Sequence, residues 1–532
     1  MRQCSPRGFS KRPLPFTLLC VLLFACTLIY YSGRGSQDHL GSAVHVPSSL
    51  DELPDDPAVH PCSIDITRLR RLGLSPTIDY VRVDVNVKYD EEGDNNSTRL
   101  HLNDDDIPPI VDLGTPLPEP TTVVIDSSKQ PKASPSSCPR PVTLHFPRPN
   151  PTPDASNIVF GVATNIKRLD ASLLSMSHWL GGTNARIFAI IEPAPEEEIN
   201  IVRAKAYQYK IRLQLAVSGA EYNARYFSLI KLLSEQRKVS ENNTADGYRV
   251  SATAQWAGII DDDTFFTSTH ALLTTLENYD HTRPQYVGAL SEDGNQMHMW
   301  GFMAYGGAGI FLSMPLLDAL QPHFDTCLDT THTGDSRIAH CIYTHSLAKL
   351  QWAHGLHQCD LHGDQSGFYE SGRRLPLSLH HYKTWFELDI SKMAAVSRVC
   401  GSSSSRSHKV GNKDIAQYDP GCMLRRYRFA DDWILTNGFS VVKYSQPLAK
   451  GDISVEKTWE DFLAAVEEDY LHTLAPLRPK DTGKVSYRLE EALVEEQPQS
   501  KLPVVRQFYV QRKKTTGLQK DKVVEVVWAV KQ

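Results

Sequence analysis

The sequence predicts a mixed α/β protein in which a mostly parallel sheet is flanked by helices. Between residues 156 and 390, short apolar runs typical of buried strands alternate with segments of helical spacing. This alternation is typical of parallel sheets that helices cover on both faces. The sequence pattern changes on either side of this region. Residues 33–155 are rich in Pro, Ser, Asp and Thr, and residues 391–532 lack the regular alternation of strand and helix patterns. A length of 532 residues is enough for about two or three domains.

The N-terminus predicts a single membrane anchor. Residues 16–32 contain the uncharged run FTLLCVLLFACTLIYY, and four basic residues precede it. Basic residues before an apolar run predict a cytoplasmic tail, here residues 1–15, with the rest of the chain in the lumen. The alternative is a cleaved signal peptide, since the run is short and Ala25 and Cys26 are small. The run continues past them without a clear cleavage site, which favours the anchor.

A lumenal location agrees with the sequons at Asn95, Asn96 and Asn242. Seven cysteines follow the anchor without zinc-ligand spacing, so we expect disulfides and at least one free thiol. The pairing cannot be deduced from the sequence. These cysteines are Cys62, Cys138, Cys327, Cys341, Cys359, Cys400 and Cys422.

The composition of residues 33–155 predicts a lumenal stem, with a local strand over TIDYVRVDVNVKY. Residues 391–532 are expected to form an accessory region with strands over WILTNGFSVVKYS and VVEVVWAV and a helix over TWEDFLAAVEEDYL. The last thirty-two residues carry eight Lys or Arg and two acids, which predicts a solvated basic tail. The net charge of −6 argues against a nucleic-acid partner.

Within residues 156–390 the elements follow one another in a regular order. The predicted strands are IVFGVAT, ARIFAIIE, IRLQLAV, QWAGII and QYVGAL, and the predicted helices include SLLSMSHWL, EEEINIVRAKAYQYK, ARYFSLIKLLSEQ, STHALLTTLENY and DSRIAHCIYTHSLAKL. Ligands of such sheets bind at the carboxyl ends of the strands. The strand QWAGII ends directly on Asp261, Asp262 and Asp263.

This aspartate triplet predicts a divalent-cation site. Side chains alternate at a strand end, so Asp261 and Asp263 fall on one side and Asp262 on the other. Carboxylate oxygens are the ligands that Mg²⁺ and Mn²⁺ prefer, and such an ion leaves room for phosphate oxygens. The alternative without a function is a solvated acidic turn, but such a turn does not need the aromatic pair Phe265 and Phe266 that follows. The second triplet, Asp104 to Asp106, has no strand before it and is expected to be a solvated turn.

Three further segments downstream carry candidate residues. The stretch Tyr305-Gly306-Gly307-Ala308-Gly309 lets the backbone approach a ligand or another element closely. Asp335 precedes a helical pattern, so it is either a helix N-cap or a general base that takes a proton from an attacking hydroxyl. His380 and His381 are adjacent in an extended segment, so at most one of them is expected to join a metal site.

The order of anchor, Pro-rich stem, β/α domain, WAGIIDDDTFF, YGGAG, GDSR and LHHY resembles the Fringe-like branch of glycosyltransferase family 31, closest to its fungal-type members. The resemblance covers about residues 157 to 390. It implies a GT-A, Rossmann-like fold, a UDP-sugar donor, Mn²⁺ (or Mg²⁺) and inversion at the anomeric carbon. It also implies a type II Golgi membrane protein that acts on a glycan or glycoprotein.

The same resemblance implies roles for individual residues. Asp261 and Asp263 match the metal-binding positions, together with His381, for which His380 is the alternative. Asp335 matches the general base. The donor-binding positions are Thr164, Arg168, Asp262, Gly306 and Gly307. Related enzymes often carry two acids at the base position, whereas this chain has Gly-Asp-Ser there.

Two other functions stay open from the sequence. A catalytically silent relative would act as a lectin or a chaperone, but the retention of Asp261, Asp263, Asp335 and His381 favours activity. A lumenal glycoside hydrolase would need two carboxylates about 5–10 Å apart and usually no metal, so dependence on a metal separates the two reactions.

Overall fold

The computed structural model describes residues 64–89, 110–125, 140–146, 148–236, 254–332, 334–401, 404–410, 413–419, 421–449, 451–460, 476–496 and 502–531. The anchor at 16–32, the Asp104 triplet and the sequons lie outside these ranges. Within them, no helix has the length and apolar character needed to cross a membrane.

The strands are β1 (Thr77–Tyr89), β2 (Val111–Asp112), β3 (Thr121–Val124), β4 (Val142–Phe146), β5 (Ile158–Thr164), β6 (Arg186–Ile191), β7 (Arg212–Val217), β8 (Trp256–Ile260), β9 (Phe265–Phe266), β10 (Tyr286–Gly288), β11 (Ile310–Ser313), β12 (Leu350–Trp352), β13 (His362–Gly363), β14 (Ser378–Leu379), β15 (Ser404–Val410), β16 (Lys413–Asp419), β17 (Arg426–Arg428), β18 (Ile434–Thr436), β19 (Ser440–Lys443), β20 (Val455–Glu456), β21 (Trp459–Glu460), β22 (Leu477–Arg478), β23 (Val485–Glu496), β24 (Pro503–Gln511) and β25 (Lys522–Val530).

The α-helices are α1 (Ile66–Arg71), α2 (Ile166–Leu180), α3 (Glu196–Gln208), α4 (Tyr222–Glu235), α5 (Thr269–Leu276), α6 (Gly294–Trp300), α7 (Met314–Leu320), α8 (Phe324–Leu328), α9 (Gly334–His345), α10 (Ser366–Tyr369), α11 (Ile390–Ala394), α12 (Ser397–Cys400) and α13 (Lys513–Thr516). The strands and helices predicted between residues 156 and 390 are confirmed.

A seven-stranded sheet, called the central sheet, has the order β12-β10-β11-β8-β5-β6-β7. Strands β5, β6, β7 and β8 are mutually parallel, and β11 alone runs antiparallel to its neighbours β8 and β10. Counted by appearance along the chain, the order is 3-2-1-4-6-5-7. This confirms the prediction of a mixed α/β fold with a mostly parallel sheet.

Strand β5 is buried along its whole length because helices cover both faces of the central sheet. Alternate side chains enter different cores: Phe160 packs with Trp179 of α2, and Val159 lies in the cluster that contains Phe227 of α4. This explains why the strand is a continuous apolar run rather than an alternating one. The burial fixes where the strand ends, and therefore where the polar residues after it lie.

A ten-stranded sheet, called the outer sheet, contains strands from residues 77–146 and from residues 426–530. Its order is β2-β17-β18-β19-β23-β24-β25-β1-β3, and β4 also pairs with β1. The local strand predicted over residues 77–89 is confirmed as β1, which pairs in parallel with β25. The outer and central sheets share one apolar core, in which Trp528 and Phe160 are both fully buried.

The outer sheet corrects two predictions. Residues 33–155 are not a stem throughout, because β1 to β4 are integral strands of this sheet. The last thirty-two residues are not a solvated tail, because β24 and β25 carry nine mostly buried residues each. Both predictions relied on local composition, which does not show pairing between segments more than four hundred residues apart. The helix predicted over TWEDFLAAVEEDYL lies almost entirely outside the described residues, and its Trp459 and Glu460 form β21.

The disulfide prediction is confirmed within the described residues. Cys327 pairs with Cys341, which links α8 to α9, and Cys400 pairs with Cys422. Cys359 is a buried free thiol. Cys62 and Cys138 lie outside the described residues.

Candidate active site

The aspartate triplet lies at the carboxyl end of β8, next to the carboxyl end of β5. Asp261 is the first residue after the buried apolar strand, and Thr264 closes the turn with a hydrogen bond from its amide to the Asp261 carbonyl, at 3.1 Å. Phe265 and Phe266 follow as fully buried residues. Apolar residues on both sides of the triplet thus hold three carboxylates at the edge of the sheet.

Asp261 and Asp263 converge on one imidazole. His380 Nε2 lies 3.0 Å from an Asp263 carboxylate oxygen and 3.4 Å from an Asp261 oxygen. His380 follows β14, which pairs with β9 directly after the triplet. Its Nδ1 faces the Gln358 carbonyl at 3.1 Å. A metal-ligating histidine commonly donates its second N–H to a carbonyl in this way.

His380 interacts electrostatically with the carboxylates of Asp261 and Asp263. Burial of His380 favours its neutral form, but the carboxylates of Asp261 and Asp263 outweigh burial and raise the pKa of His380. Burial would raise the pKa of Asp263, and the hydrogen bond and charge of His380 hold that pKa below its ordinary value. Asp261 and Asp263 thus stabilise a positive charge at His380, and the same two carboxylates would help to hold a divalent cation.

His381 is turned towards other partners. Its Nε2 lies 3.1 Å from Asp360 Oδ1 and its Nδ1 lies 3.0 Å from Thr384 Oγ1. The imidazole also stacks on Trp385, with ring centroids 3.9 Å apart. Potential ligand atoms of Asp263, His380 and His381 still lie within 4.8 Å of one another. His381 could join a metal site only by giving up one of its two hydrogen bonds.

Asp262 points to the other side, as the alternation at a strand end predicts. Its carboxylate accepts hydrogen bonds from Thr164 Oγ1 at the end of β5 and from Arg168 Nε and Nη2 in the first turn of α2, the latter two at 2.7 and 2.5 Å. The Asp262 side chain is 5% exposed, whereas that of Arg168 is 54% exposed. The sequence-predicted donor residues Thr164, Arg168 and Asp262 therefore form one cluster, with the guanidinium at its surface.

The glycines of the GGAG stretch make room for site residues. A Cβ on Gly307 would lie 2.1 to 2.4 Å from three atoms of the His380 ring. A Cβ on Gly306 would lie 2.1 Å from the Tyr226 hydroxyl and 3.5 Å from an Asp261 oxygen. Gly307 also accepts a hydrogen bond from Thr264 Oγ1 at 2.9 Å. The two glycines thus allow the loop to pass directly over the carboxylate cluster.

Asp335 lies in the first turn of α9 and faces this loop. Its carboxylate accepts hydrogen bonds from the backbone N–H groups of Gly306 and Ser336, both at 2.9 Å. Burial, assisted by the nearby charges of Asp261 and Asp360, raises the pKa of Asp335 to about 7. A carboxylate with such a pKa is poised to take up a proton near neutral pH.

Sequence analysis missed several residues that surround the site. Asp360 is 4% exposed and accepts a hydrogen bond from Ser291 Oγ at 2.6 Å in addition to its contact with His381. Tyr226 is buried on α4, next to Gly306. Lys383 donates to Ser172 Oγ at 2.8 Å, close enough to Asp262 for their charges to interact. None of these positions carries a motif, and only their proximity in the fold identifies them.

A family model described as a protein of unknown function, DUF604, matches residues 295–465, about a third of the chain. No curated protein matches the sequence.

Solved structures with similar folds include three with glycosyltransferase names. The glycosyltransferase GlyE of Streptococcus pneumoniae TIGR4 is 12% identical, with a TM-score of 0.25 over 36% of this chain and 45% of that one. The galactosyltransferase LgtC, solved with donor and acceptor sugar analogues, is 11% identical, with a TM-score of 0.26 over 37% and 73%. Mouse xyloside xylosyltransferase 1 is 10% identical, with a TM-score of 0.22 over 37% and 84%. The chain spans less than half the length of the first of these.

Proposed function

We propose that this protein is a glycosyltransferase of the GT-A fold that transfers a sugar from a UDP-sugar to a hydroxyl of a glycan or glycoprotein. The observation that carries the proposal is the meeting of two groups around Gly306 and Gly307. Asp261, Asp263 and His380 form one group, and Asp335 with its raised pKa, bonded to the Gly306 amide, forms the other. A cation site and a general base next to one loop suit the expulsion of a diphosphate and the activation of a hydroxyl.

The residues present fit a divalent cation. Carboxylate oxygens suit Mg²⁺ and Mn²⁺, and an imidazole nitrogen is typical of transition metals, so the combination favours Mn²⁺. The geometry supports His380 as a nitrogen ligand, because His380 already faces both carboxylates and its other nitrogen meets a carbonyl. A nitrogen of His381 lies within 4.8 Å of the ligand atoms of Asp263 and His380, so His381 would be a second nitrogen ligand if it gave up one of its hydrogen bonds. When bound, such a cation stabilises the negative charge that develops on a departing diphosphate.

The donor side of the site would be held by Asp262 and its two partners. Arg168 fixes the buried Asp262 carboxylate from one edge of its guanidinium, and its exposed edge is available for phosphate oxygens. Thr164 fixes the same carboxylate from the end of β5. The Asp262 carboxylate held in this way would accept a further hydrogen bond from a ribose or sugar hydroxyl of the donor.

Asp335 would take the proton from the acceptor hydroxyl. The amide groups of Gly306 and Ser336 fix the carboxylate without a competing cation, and burial keeps it basic enough to act near neutral pH. A single base on the side away from the leaving group is sufficient for an inverting displacement. We further propose that the anchor at 16–32 holds the enzyme in the Golgi membrane with the site in the lumen.

The proposal is tested with the full chain in detergent against a panel of UDP-sugars, with and without Mn²⁺, by measuring UDP release and UDP binding. We expect release with at least one donor only when Mn²⁺ is present, and a product of inverted anomeric configuration by NMR. Absence of both turnover and UDP binding would refute the proposal that the protein is a glycosyltransferase.

Two substitutions separate the roles of the carboxylates. Asp263→Asn should abolish metal-dependent UDP binding, whereas Asp335→Asn should preserve that binding and abolish transfer. Asp104→Asn, in the other triplet, is the matched control and should leave both unchanged. If Asp335→Asn retained transfer, the general base would have to be another residue, for which the buried Asp360 is the next candidate.

A further inference from the structure

One buried hydroxyl beside the site has no role in the contacts described so far. Tyr226 is 3% exposed, and its hydroxyl forms no hydrogen bond with any of the described residues. A buried polar group without a hydrogen-bond partner destabilises the folded state, so native proteins rarely retain one without a reason. We therefore expect the Tyr226 hydroxyl to form a hydrogen bond in another state of the protein.

The position of this hydroxyl indicates the partner. A Cβ built on Gly306 would meet the Tyr226 hydroxyl at 2.1 Å and Asp261 Oδ1 at 3.5 Å, so both atoms face the same glycine. The other oxygen of Asp261 is the one directed at His380. Asp261 is 26% exposed at its side chain, so its carboxylate has more freedom to turn than that of Asp263, which is 3% exposed.

The chemistry of the two groups is complementary. Burial, together with the charges of Asp261 and Asp335, raises the pKa of Tyr226, so the phenol stays protonated and is available as a donor. A carboxylate accepts hydrogen bonds, and one oxygen of Asp261 can face a cation while the other accepts from a phenol. Ligating carboxylates are commonly held by such a second hydrogen bond.

We propose that Tyr226 is a positioning residue for the metal-binding Asp261. Its hydroxyl donates to Asp261 Oδ1 when that carboxylate turns to coordinate the divalent cation, and Gly306 is a glycine so that this hydroxyl has room. This inference rests on the proposed function, because it assigns a partner to one ligand of the proposed cation site.

The test compares Mn²⁺ affinity in the wild-type full chain, Tyr226→Phe and Tyr427→Phe, by isothermal titration calorimetry. Tyr427 is the matched control, because its buried hydroxyl in β17 also lacks a partner among the described residues but lies in the outer sheet. Loss of a partner that orients a ligand typically weakens metal binding about 10–100-fold. We expect that loss for Tyr226→Phe and no change for Tyr427→Phe.

A second measurement excludes a merely structural role. The metal-free unfolding midpoint of Tyr226→Phe should equal or exceed that of the wild type, because no hydrogen bond is lost in that state. A Mn²⁺ affinity equal to that of the wild type would overturn the proposal, as would a lower metal-free midpoint. If the wild type and Tyr226→Phe bind UDP equally well with Mn²⁺, the proposed function is unaffected and only the role of Tyr226 is refuted.

Discussion

The contact between Gly306 and Tyr226 gives a quantitative test of how the loop packs over the site. Replacing Gly306 with alanine places a methyl group 2.1 Å from the Tyr226 hydroxyl, far inside the usual contact distance of about 3.5 Å. The Gly306 backbone itself does not need a glycine, because its φ is not in the left-handed region. Any loss of stability should therefore come from this contact.

The expected magnitude follows from the neighbouring distances. Overpacking of this kind costs about 1–3 kcal/mol. When Tyr226 is also changed to phenylalanine, the offending oxygen is gone and the nearest remaining atom is the ring carbon at 3.2 Å, which needs a shift of only a few tenths of an ångström. Gly306→Ala should thus lose about 1–3 kcal/mol of unfolding free energy, and the double variant should recover most of it.

The assay is urea unfolding followed by tryptophan fluorescence in the metal-free state, with all four members of the double-mutant cycle. Gly307→Ala with and without Tyr226→Phe is the control, because its clash is with the His380 ring, which the loss of the Tyr226 hydroxyl does not relieve. Equal losses for Gly306→Ala in the two backgrounds would refute the packing argument, as would a neutral Gly306→Ala.

Three further predictions address the base, a disulfide and the outer sheet. Because burial raises the pKa of Asp335 and a general base must be deprotonated, kcat/KM should rise with pH. The midpoint should lie well above the ordinary aspartate pKa of about 4, and not above about 7, since a bound cation weakens the repulsion from Asp261. A midpoint at 4 would show that burial does not raise the pKa of Asp335. Loss of the Cys327–Cys341 disulfide in a double serine variant should lower the free energy of unfolding by about 3 kcal/mol, as expected for a loop of this length. An unchanged urea unfolding curve would contradict this expected loss of stability. Deletion of residues 1–150 removes β1 to β4 and exposes the edge of β25, so this fragment should aggregate on size-exclusion chromatography. A fragment that lacks only residues 1–63 should stay monodisperse, and two monodisperse fragments would show that these four strands are dispensable.

Sequence reasoning succeeded where the signal is local. The strand β8 and the turn after it were predictable because a continuous apolar run, three acids and an aromatic pair occur within eleven consecutive residues, 256 to 266. The alternation of strands and helices is local in the same sense, since each element has its own hydrophobic period. The division of the triplet into two sides also followed from the geometry of a strand end.

Sequence reasoning failed where the answer depends on two distant segments. The interpretation of residues 33–155 as a stem overlooked that β1 to β4 belong to a sheet whose remaining six strands lie between residues 426 and 530. The sequence left the choice between His380 and His381 open because adjacent residues share one sequence context, and only the tertiary structure shows that His380 faces Asp263 while His381 faces Asp360.

The sequence by itself thus determined the β/α order of residues 156–390 and the position of three acids at a strand end, because apolar periodicity and strand alternation act over a few residues. Only the tertiary structure decided that Asp262 accepts hydrogen bonds from Thr164 and Arg168 and that Asp335 accepts one from Gly306. It also decided that the Tyr226 hydroxyl, which has no hydrogen-bond partner among the described residues, lies near Asp261. The physical reason is that hydrogen bonds, charge interactions and steric room depend on distances between side chains. Those distances are set by how the helices and loops pack around the central sheet.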